Sequence, residues 1–375
     1  MSTIRFIHTA DWQLGMKRHF LSADAQARFT EDRLAVVRRI GDLAREHDAQ
    51  FVVACGDIFE SNQVERGFVL RAIDAMKAIE VPLYIVAGNH DALDAATVYR
   101  SPVFDERRPA NVHVITEPVM FENRVEIVPA PWYSRRPLED LVAKACRDLG
   151  GRTVPRICVG HGAVDELCPD RDNPAAISVA NAERLLSEGV IDYLALGDRH
   201  SATRVRDRIW YSGAPEPTDY DEEKPGHVLL VEIDGGDITV RELPVARWSF
   251  TRRHFDVVCD DDLEPIAEWM TALPDRPRTI VKISVRGSVS LQGQARFELM
   301  VDDHASVLGA LELWERRSDL CVVPDDSDFS DIDVSGFARA ALDELRERAV
   351  GTGPEADQAR DALVLMHRLA RGGSR

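Results

Sequence analysis

The sequence lacks long apolar runs, paired cysteine motifs and nucleotide-binding loops. No window approaches the roughly 18 apolar residues that a membrane span requires, so we expect no membrane contact. The six cysteines form no C-x-x-C pair, which indicates neither a disulfide framework nor a zinc ribbon. No G-x-x-x-x-G-K-S/T motif occurs, so any ATP hydrolysis would have to come from a partner.

Basic side chains are also scarce. The chain has 46 Lys and Arg against 64 Asp and Glu, which gives a formal net charge of −18. Non-specific affinity for nucleic acid comes largely from Lys and Arg that neutralise phosphates. The composition therefore argues against a strong autonomous nucleic-acid binder. It does not argue against a nuclease whose metal ions supply positive charge and whose partner supplies most of the binding surface.

The composition that remains is that of a soluble globular protein. Hydrophobic residues make up 45% and charged residues 29% of 375 residues, enough for a large α/β domain with one or two appendages. Residues 4–8 already have a strand pattern. We therefore expect no cleavable signal, and a cytoplasmic location.

Short apolar runs alternate with longer amphipathic ones in the first half of the chain, as in α/β domains. Apolar residues at helical spacing between Phe29 and Ala44 predict a helix after the first strand. Strands are predicted at residues 4–8, 51–55, 83–86, 156–159 and 193–196. Alternating stretches that indicate an antiparallel component lie at residues 112–115, 125–128, 208–211, 228–233 and 238–242.

The pattern changes near residue 250. A strand at residues 255–259, a helix from about Asp262 and a strand at residues 279–286 indicate a small α+β unit. An acidic stretch then has the composition of a solvated linker. The predicted division is residues 1–250, 251–323, a linker at 324–334, and 335–375.

Two helices are predicted after the linker. Gly351-Thr352-Gly353-Pro354 separates them, since it combines a glycine C-cap signal with a proline stop. Each helix has one apolar face, so the hairpin either packs on its own domain or docks on a partner coiled coil. The apolar positions are Phe337, Ala341, Leu345, Ala349, Ala359, Leu363, Met366 and Leu369.

Five segments place metal-type ligands directly after predicted strands, where ligands gather in open α/β sheets. Taken singly, a Gly-Asp or Gly-His after a strand is usually only a turn. A pair of divalent ions needs a bridging carboxylate, hard oxygen ligands, a few imidazoles and open positions for water and substrate. The segments are Asp11-Trp12-Gln13, Gly56-Asp57-Ile58-Phe59-Glu60, Gly88-Asn89-His90-Asp91, Gly160-His161 and Gly197-Asp198-Arg199-His200.

In this order the five segments resemble the calcineurin-like metallophosphoesterases. The resemblance implies an α/β fold with a β-sandwich of mixed sheets flanked by helices, here followed by a small α+β cap and C-terminal helices. It also implies two divalent metal ions bridged by Asp57. The other ligands that it implies are Asp11, Gln13 and His200 for one metal and Asn89, His161 and Asp198 for the second.

The same resemblance implies a catalytic role for His90, which would stabilise or protonate the leaving oxygen, and for Asp91, which would orient the His90 ring. Two positions depart from the family pattern. The first segment usually reads Asp-x-His and here ends in Gln13, and the last usually reads Gly-His-x-His and here has Asp198. A neutral amide is a weaker ligand than imidazole, whereas Asp198 adds a hard anionic oxygen. We therefore expect Mn²⁺, with Mg²⁺ or Fe²⁺ as alternatives.

The run His8-Thr9-Ala10-Asp11-Trp12-Gln13-Leu14-Gly15 resembles the opening of the SbcD-type DNA repair exonucleases. Gly56-Asp57-Ile58-Phe59 and Gly88-Asn89-His90-Asp91 also match that group. The resemblance implies a DNA exonuclease or endonuclease subunit that forms a homodimer and binds an SbcC-like, SMC-type coiled-coil ATPase. Residues 1–250 would be the nuclease domain, 251–323 the capping domain and 335–375 the docking segment.

Two other functions stay open: another metal-dependent phosphodiesterase or phosphatase, and a catalytically weakened scaffold that binds DNA ends. Protein phosphatases are disfavoured because Glu60 and Asp91 depart from their Gly-Asp-x-x-Asp-Arg-Gly and Gly-Asn-His-Glu motifs. Two basic segments either line a DNA groove or are ordinary surface charge. They are Lys17-Arg18-His19 and Arg135-Arg136, the second of which follows Trp132-Tyr133.

Overall fold

The computed structural model describes residues 3–170, 172–322, 337–349 and 353–370, which form two compact units. Unit 1 comprises residues 1–19 and 26–249, and unit 2 comprises residues 20–25 and 250–375. The linker predicted at residues 324–334 lies outside the described residues. None of the described helices is long and apolar enough to cross a membrane.

Unit 1 contains two six-stranded sheets. Its strands are β1 (Ile4–Thr9), β2 (Phe51–Cys55), β3 (Leu83–Val86), β4 (Val112–Val114), β5 (Val119–Phe121), β6 (Val125–Ala130), β7 (Arg156–His161), β8 (Tyr193–Gly197), β9 (Thr203–Arg206), β10 (Ile209–Tyr211), β11 (His227–Asp234) and β12 (Asp237–Pro244). Its helices are α1 (Ala23–Glu46), α2 (Arg66–Met76), α3 (Pro102–Arg107), α4 (Leu141–Cys146) and α5 (Val179–Ser187).

Both sheets of unit 1 are mixed. The first has the order β12-β11-β1-β2-β3-β4, with β1 to β4 parallel and β11 antiparallel to both neighbours. The second has the order β5-β6-β7-β8-β10-β9, with β6, β7, β8 and β10 parallel and the edge strands antiparallel. The carboxyl ends of β1, β2 and β3 therefore lie at one edge of the first sheet, and those of β7 and β8 at one edge of the second.

The two sheets pack face to face. Phe6 of β1 stacks on Phe51 of β2 at 5.1 Å between ring centroids and meets Tyr193 of the second sheet edge-on at 5.8 Å. Because side chains alternate along a strand, the next residue, Ile7, lies on the other face and belongs to the core shared with Ile40 of α1. Alternate side chains of β1 thus enter two different cores, one between the sheets and one under the helices.

Helices cover the outer faces of the sandwich. α1, α2 and α3 contribute to the core outside the first sheet, and α4 and α5 contribute to the core outside the second. The resulting order of layers is helix, sheet, sheet, helix. It confirms the expected α/β fold with a sandwich of mixed sheets flanked by helices.

The predicted strands all exist, and the expected antiparallel component is wrong only for β4, which pairs parallel to β3. β11 and β12 are antiparallel as expected. β6 and β10 each pair antiparallel on one side, with β5 and β9, and parallel on the other, with β7 and β8. Alternation of apolar residues reports which face is buried, and it carries no information on the direction of the neighbouring strand.

Unit 2 has a four-stranded sheet in which β14 is central. β15 and β16 both pair parallel to β14, at successive stretches of that strand. The strands are β13 (Ser249–Val257), β14 (Thr279–Val289), β15 (Ala310–Leu313) and β16 (Asp319–Val322), and the helices are α6 (Glu264–Thr271), α7 (Leu291–Ala305), α8 (Phe337–Ala349) and α9 (Pro354–Ala370).

The last two helices pack within unit 2. Leu342 of α8 and Leu363 of α9 are fully buried in one cluster with Leu291, the first residue of α7. Most of the apolar stripe predicted for the two helices is used in this contact, although Phe337 is 89% exposed. Of the two interpretations left open by the sequence, packing on the hairpin's own unit is therefore realised.

Candidate metal centre

The carboxyl ends of the parallel strands bring the five ligand segments together. The chain after β1 pairs with the chain after β2, since the Asp11 N–H donates to the Gly56 carbonyl and the Gln13 N–H donates to the Asp57 carbonyl, both at 3.0 Å. The second sheet joins them because the His161 ring, at the end of β7, lies 2.8 Å from the carbonyl oxygen of Cys55 at the end of β2. The site is therefore built across both sheets.

The chain segments at this edge approach one another very closely. A Cβ atom at Gly56 would lie 2.2 Å from Nδ1 of His161, and one at Gly197 would lie 1.9 Å from the carbonyl oxygen of Cys55. Only glycine permits such approaches. Four of the expected ligands also have positive φ angles, which are uncommon outside glycine: Asp11 (54°), Gln13 (49°), Asp57 (54°) and Asp198 (97°).

Asp57 lies at the centre of the cluster. Its carboxylate accepts hydrogen bonds from the Gln13 amide at 3.2 Å and from the backbone N–H of His90 at 2.9 Å. The Nε2 atom of His161 is 3.5 Å from Asp57 Oδ1. Ligand atoms of Asp11, Asp57 and His161 all lie within 4.8 Å of one another, a spacing that can hold a metal ion.

One side of the cluster is formed by the His161 imidazole. Nε2 of His161 lies 2.7 Å from Asn89 Oδ1 and 3.7 Å from Asp198 Oδ1. The backbone N–H of Asp198 donates to both carboxylate oxygens of Asp11 at 3.1 Å. The structure thus brings Asn89, His161 and Asp198 together on this side.

The second imidazole of the site is that of His200. Its Nδ1 atom lies 2.8 Å from Thr218 Oγ1 and 2.9 Å from Glu222 Oε1. Glu222 also accepts from the backbone N–H of Thr218 at 2.9 Å. The sequence analysis did not identify Thr218 or Glu222, because both lie in a loop far from any strand-end motif. The acidic run Asp219-Tyr220-Asp221-Glu222-Glu223 was the only signal for them.

His90 lies beside Asp57 and is partly exposed. Its ring Nδ1 atom is 2.8 Å from the carbonyl oxygen of Glu60, and its Nε2 atom is 3.9 Å from Asp57 Oδ2. A carbonyl oxygen accepts hydrogen bonds only, so Nδ1 carries a proton and Nε2 is the nitrogen that faces the cluster.

The structure corrects the role expected of Asp91. Its buried carboxylate accepts from the backbone N–H groups of Gly88 and Ile58, both at 2.8 Å, and from the Tyr99 hydroxyl. It does not contact the His90 ring, which is oriented by a backbone carbonyl instead. Neighbouring residues in a tight turn direct their side chains apart, so adjacency in sequence did not produce the contact. Asp91 holds the turn behind the cluster.

Charge is crowded at this edge. Burial raises the pKa of Asp11 to about 7, although the imidazoles of His200 and His161 oppose this shift. Burial alone would lower the pKa of both histidines. The carboxylates of Asp57, Asp11 and Asp198 nevertheless raise the pKa of His161 to about 9, and the hydrogen bond to Glu222, with Asp11, raises the pKa of His200 to about 9. Acids and bases here share protons that a divalent cation would displace.

The cluster opens into a cleft of about 500 Å³. Its lining includes Gln13, His90, Asp198 and His200 from the ligand segments, together with Arg18 and Arg199. Acidic residues of the loop between β10 and β11 line it as well: Asp219, Asp221 and Glu222. The lining of the cleft therefore combines two guanidinium groups with an acidic loop.

The donor set fits divalent cations. Carboxylate oxygens, two amide oxygens and two imidazoles suit hard to borderline metals. The buried Gln13 amide oxygen has no hydrogen-bond partner among the described residues, and a bound cation would satisfy it. In the structure the Gln13 amide nitrogen faces the Asp57 carboxylate at 3.2 Å, and a flip of the side-chain amide would bring the oxygen to that side.

This chain is similar to several known proteins. Residues 4–231 match the calcineurin-like phosphoesterase family. The SbcD subunit of the nuclease SbcCD from Escherichia coli (strain K12) is 23% identical over 276 residues, which is 63% of this chain and 66% of that protein. The uncharacterized metallophosphoesterase YhaO of Bacillus subtilis (strain 168) is 25% identical over 326 residues, which is 79% of this chain and 73% of that protein.

Solved structures give weaker similarities. TT1561 of Thermus thermophilus aligns with a TM-score of 0.42 at 10% identity, and a dimetal phosphatase from Danio rerio aligns with a TM-score of 0.37 at 14% identity. Each alignment covers 64% of this chain and 99% of the other.

The family match covers more than half of the chain and includes the strand ends at which the acidic and imidazole side chains meet. The chain therefore belongs to the calcineurin-like phosphoesterase family and is a metal-dependent phosphoesterase.

Proposed function

We propose that this chain is a two-metal phosphodiesterase that hydrolyses DNA as the nuclease subunit of a repair complex. The observation that carries the proposal is the convergence of five strand-end segments on Asp57, in a chain whose match to a nuclease subunit extends over 63% of its length. That match spans 66% of the length of the Escherichia coli protein. The substrate and the partner are therefore part of the proposal.

Asp57 is assigned the bridging position between two metals. Asp11, Gln13 and His200 would hold one metal, and Asn89, His161 and Asp198 the other. When bound, such ions polarise a phosphoryl oxygen and lower the pKa of water. The crowding of Asp11, Asp57 and His161 within 4.8 Å supports this assignment. We keep Mn²⁺ as the expected metal because most donors are hard oxygens.

His90 is the proposed general acid. Its Nδ1 proton is held by the Glu60 carbonyl at 2.8 Å, so the ring orientation is fixed by backbone. In the protonated ring, Nε2 also carries a proton and points toward the cleft side of Asp57. That proton can pass to the leaving oxygen of a phosphodiester, and the neutral ring that results keeps its bond to Glu60.

Positive charge near the cluster supports a nucleic-acid substrate. Arg18 lines the cleft and donates to the Thr218 carbonyl, and its Nε atom has no partner among the described residues. Trp132 anchors a second basic segment, because its Nε1 atom donates to the His161 carbonyl at 2.7 Å. The following Tyr133 is 53% exposed, and Arg135 and Arg136 are exposed as well. An exposed ring beside guanidinium groups suits a single strand.

The proposed domain division keeps residues 1–250 as the nuclease domain, 251–323 as a capping domain and 335–375 as the segment that docks on an SMC-type ATPase. Because α8 and α9 bury their shared stripe on α7, a partner must contact their outward face, where Phe337 and Leu365 are 89% and 59% exposed. Deletion of the helices would uncover Leu291 and confuse docking with unfolding. The double variant Phe337→Asp/Leu365→Asp avoids this problem.

Co-purification with the candidate ATPase tests the docking proposal. We expect the Phe337→Asp/Leu365→Asp variant to lose the partner, whereas Leu70→Asp/Met120→Asp, at exposed apolar positions of unit 1, should keep it. Retention of the partner by the first variant would contradict the docking role. The same preparations give the oligomeric state by light scattering, and a homodimer is expected.

A smaller phosphodiester is the second candidate substrate. Asp219, Asp221 and Glu222 line the cleft, and their negative charge opposes the approach of a polyanion at low ionic strength. This observation favours a compact, singly charged diester over a long strand.

Cleavage assays separate the two substrates. We expect Mn²⁺-dependent cleavage of end-labelled single- or double-stranded DNA, measured with and without the candidate ATPase, and no cleavage in EDTA or by the Asp57→Asn variant. Hydrolysis of bis-p-nitrophenyl phosphate by a protein that leaves every DNA substrate intact would contradict the nuclease proposal and support the small diester.

A further inference from the structure

Arg33 is a buried arginine of α1, and it is only 2% exposed. Its guanidinium carbon lies 4.6 Å from the centroid of the Phe29 ring, one helical turn earlier. Burial lowers the pKa of Arg33 to about 10, while the carboxylates of Glu216 and Glu222 oppose this shift. The side chain therefore keeps its charge at neutral pH. A buried charge is costly unless it is hydrogen-bonded, so the partners of Arg33 matter.

One partner of Arg33 lies in the first ligand segment. The Nη1 atom of Arg33 donates to the backbone carbonyl of Trp12 at 2.9 Å. That carbonyl belongs to the peptide group between Trp12 and Gln13. The residues on either side of Trp12, Asp11 and Gln13, both have positive φ angles. Such conformations persist only where neighbouring contacts hold them, so Arg33 contributes to the backbone geometry that presents two proposed ligands.

The other partners of the same guanidinium lie in the loop between β10 and β11. Its Nη2 atom donates to the Pro217 carbonyl at 2.8 Å and lies 3.5 Å from the Glu216 carbonyl. The next residue, Thr218, contacts the His200 ring. Because the guanidinium is a planar, rigid fork, it joins the backbone of the first ligand segment to the loop that supports His200.

The loop is anchored next to this link. The Glu216 carboxylate is buried and accepts from the backbone N–H groups of Arg247 at 2.8 Å and Trp248 at 3.1 Å. An apolar residue at position 33 would leave the carbonyls of Trp12 and Pro217 without this donor. A buried acceptor that loses its donor is costly, so the two segments should shift relative to each other.

Arg156 is a buried arginine of unit 1 that makes similar contacts elsewhere. It is 4% exposed. It donates to the carbonyls of Gly150 at 3.3 Å and Val190 at 2.9 Å, and it pairs with Glu126 at 2.7 Å. Arg156 is the first residue of β7, whereas His161 is the last. The two buried arginines are thus alike in burial and in bonding to carbonyls, and they differ in the segments to which those carbonyls belong.

We propose that Arg33 is a positioning residue that aligns the ligands of one metal, because it joins the segment Asp11-Trp12-Gln13 to the loop that supports His200. This inference rests on the proposed assignment of Asp11, Gln13 and His200 to one metal. The contacts of Arg33 are made to backbone carbonyls, so its substitution is expected to change metal affinity and not the chemical step.

Calorimetric titration of the metal-stripped, full-length protein with Mn²⁺ tests the inference. Arg33→Met removes both donors, and loss of a residue that orients metal ligands typically costs about 10–100-fold in metal affinity. We therefore expect one of two binding events to weaken by about tenfold and the other to be unchanged. Arg156→Met, the matched control, should lower stability to urea and leave both events at wild-type affinity. Wild-type affinity in Arg33→Met, or the same loss in Arg156→Met, would overturn the inference.

Hydrogen exchange of the metal-stripped protein reports the positioning without any metal. The backbone N–H groups of Gln13 and Thr218 are both hydrogen-bonded, so the two linked segments contain protected amides. Arg33→Met should exchange faster than wild type in peptides from both segments, whereas Arg156→Met should match wild type there. Unchanged exchange of both segments in Arg33→Met would contradict the positioning role.

A conservative variant keeps the test decisive if Arg33→Met does not fold. Arg33→Lys keeps the charge, but an ammonium lacks the rigid fork that reaches two carbonyls at once. It should weaken the same metal-binding event by less than Arg33→Met does. It should also raise the Mn²⁺ concentration that half-activates hydrolysis of bis-p-nitrophenyl phosphate, while kcat at saturating Mn²⁺ stays near the wild-type value. If only Arg33→Lys folds and it binds both metals as the wild type does, the inference fails.

The DNA cleavage assay distinguishes this inference from the proposed function. If the wild type cleaves DNA and Arg33→Met matches Arg156→Met in metal affinity, the positioning role fails and the nuclease stands. If the wild type cleaves no DNA but one metal-binding event depends on Arg33, the nuclease fails and the positioning role stands. A wild type with a single metal-binding event would contradict the two-metal assignment and, with it, this inference.

Discussion

The two sides of the metal centre hold their imidazoles by different means. On one side, His161 is fully buried and its Nδ1 atom is fixed by the Cys55 backbone carbonyl at 2.8 Å. On the other side, the His200 side chain is 28% exposed and its Nδ1 atom is held by the side chains of Thr218 and Glu222. The first orientation is set by the sheet, whereas the second depends on residues that can be substituted.

The groups that orient the two imidazoles also differ in charge. A carbonyl dipole orients His161 without adding a full charge, while Glu222 brings a carboxylate to the His200 side. Gln13 is proposed as a weak ligand of the same metal as His200, and the anionic Asp198 lies 3.7 Å from His161. Negative charge thus reaches each side by a different route: Asp198 is proposed as a direct ligand on one, and Glu222 acts through the His200 imidazole on the other. Substitutions on each side can show whether the two sides act as one unit or as two.

The largest effect is expected at Asp57, which contacts both sides. Asp57→Asn removes the one carboxylate next to Gln13 and His161, so calorimetry should show loss of both metals and hydrolysis should fall to background. The control is Asp207→Asn, at an 84% exposed side chain. Retention of one metal at full affinity would mean that the sides are independent.

The His90→Asn variant should slow turnover without weakening metal binding. The His90 side chain is proposed to hold no metal, so calorimetric affinity should stay near wild type, while kcat should fall by roughly 10²-fold or more, the scale of a lost general acid. The backbone N–H of His90 that donates to Asp57 is unaffected by the substitution. Loss of metal as severe as in Asp57→Asn would show that the ring is a ligand.

Much of the fold was predictable, since strands such as residues 51–55 and 83–86 coincide with β2 and β3. Buried parallel strands are short apolar runs followed by turn residues, and both signals are local. Pairing direction was less predictable, because β4 pairs parallel and β6 pairs parallel on one side and antiparallel on the other, although both have the same alternation of apolar residues. The direction in which two strands pair is decided by the path of the chain that connects them. The alternation of apolar residues does not encode that path.

The candidate site, like the fold, was predictable only in part. The segments that meet at Asp57 were identifiable from strand ends, because parallel strands deliver their carboxyl ends to one edge. The support of each imidazole was not identifiable. Asp91 was expected to orient His90, yet the Glu60 carbonyl does so, and Glu222 was missed entirely. The contacts that orient a proposed ligand depend on side-chain rotamers and on loops that come back to the site from distant parts of the chain. Neither leaves a fixed residue spacing in the sequence.

Glu222→Gln should weaken only the His200 side. The substitution removes the carboxylate that accepts from the His200 ring at 2.9 Å, and loss of such a partner typically costs 10–100-fold in metal affinity. We expect one of two calorimetric binding events to weaken by about tenfold and the other to be unchanged. Glu223→Gln, at the adjacent exposed residue, is the matched control. Equal weakening of both events would show that the sides are coupled through Asp57.

The smallest effect is expected from restoring the family residues, Gln13→His and Asp198→His. If the centre is adapted, the neutral amide on one side is offset by the additional anion on the other, and each restored imidazole changes metal preference without a large gain in rate. The buried Gln13 amide oxygen, which has no partner among the described residues, favours this view because a bound cation would satisfy it. If the centre has decayed, imidazole at either position should rescue affinity and rate, since His is the better ligand for a borderline metal and, at position 198, removes a negative charge facing the phosphate. The double variant is decisive. We expect it to remain close to wild type in Mn²⁺-dependent hydrolysis of bis-p-nitrophenyl phosphate. An inert wild type beside a double variant that cleaves at least roughly tenfold faster would show that the two departures weaken a once stronger site, since a tenfold gain corresponds to about 1.4 kcal/mol of transition-state stabilisation.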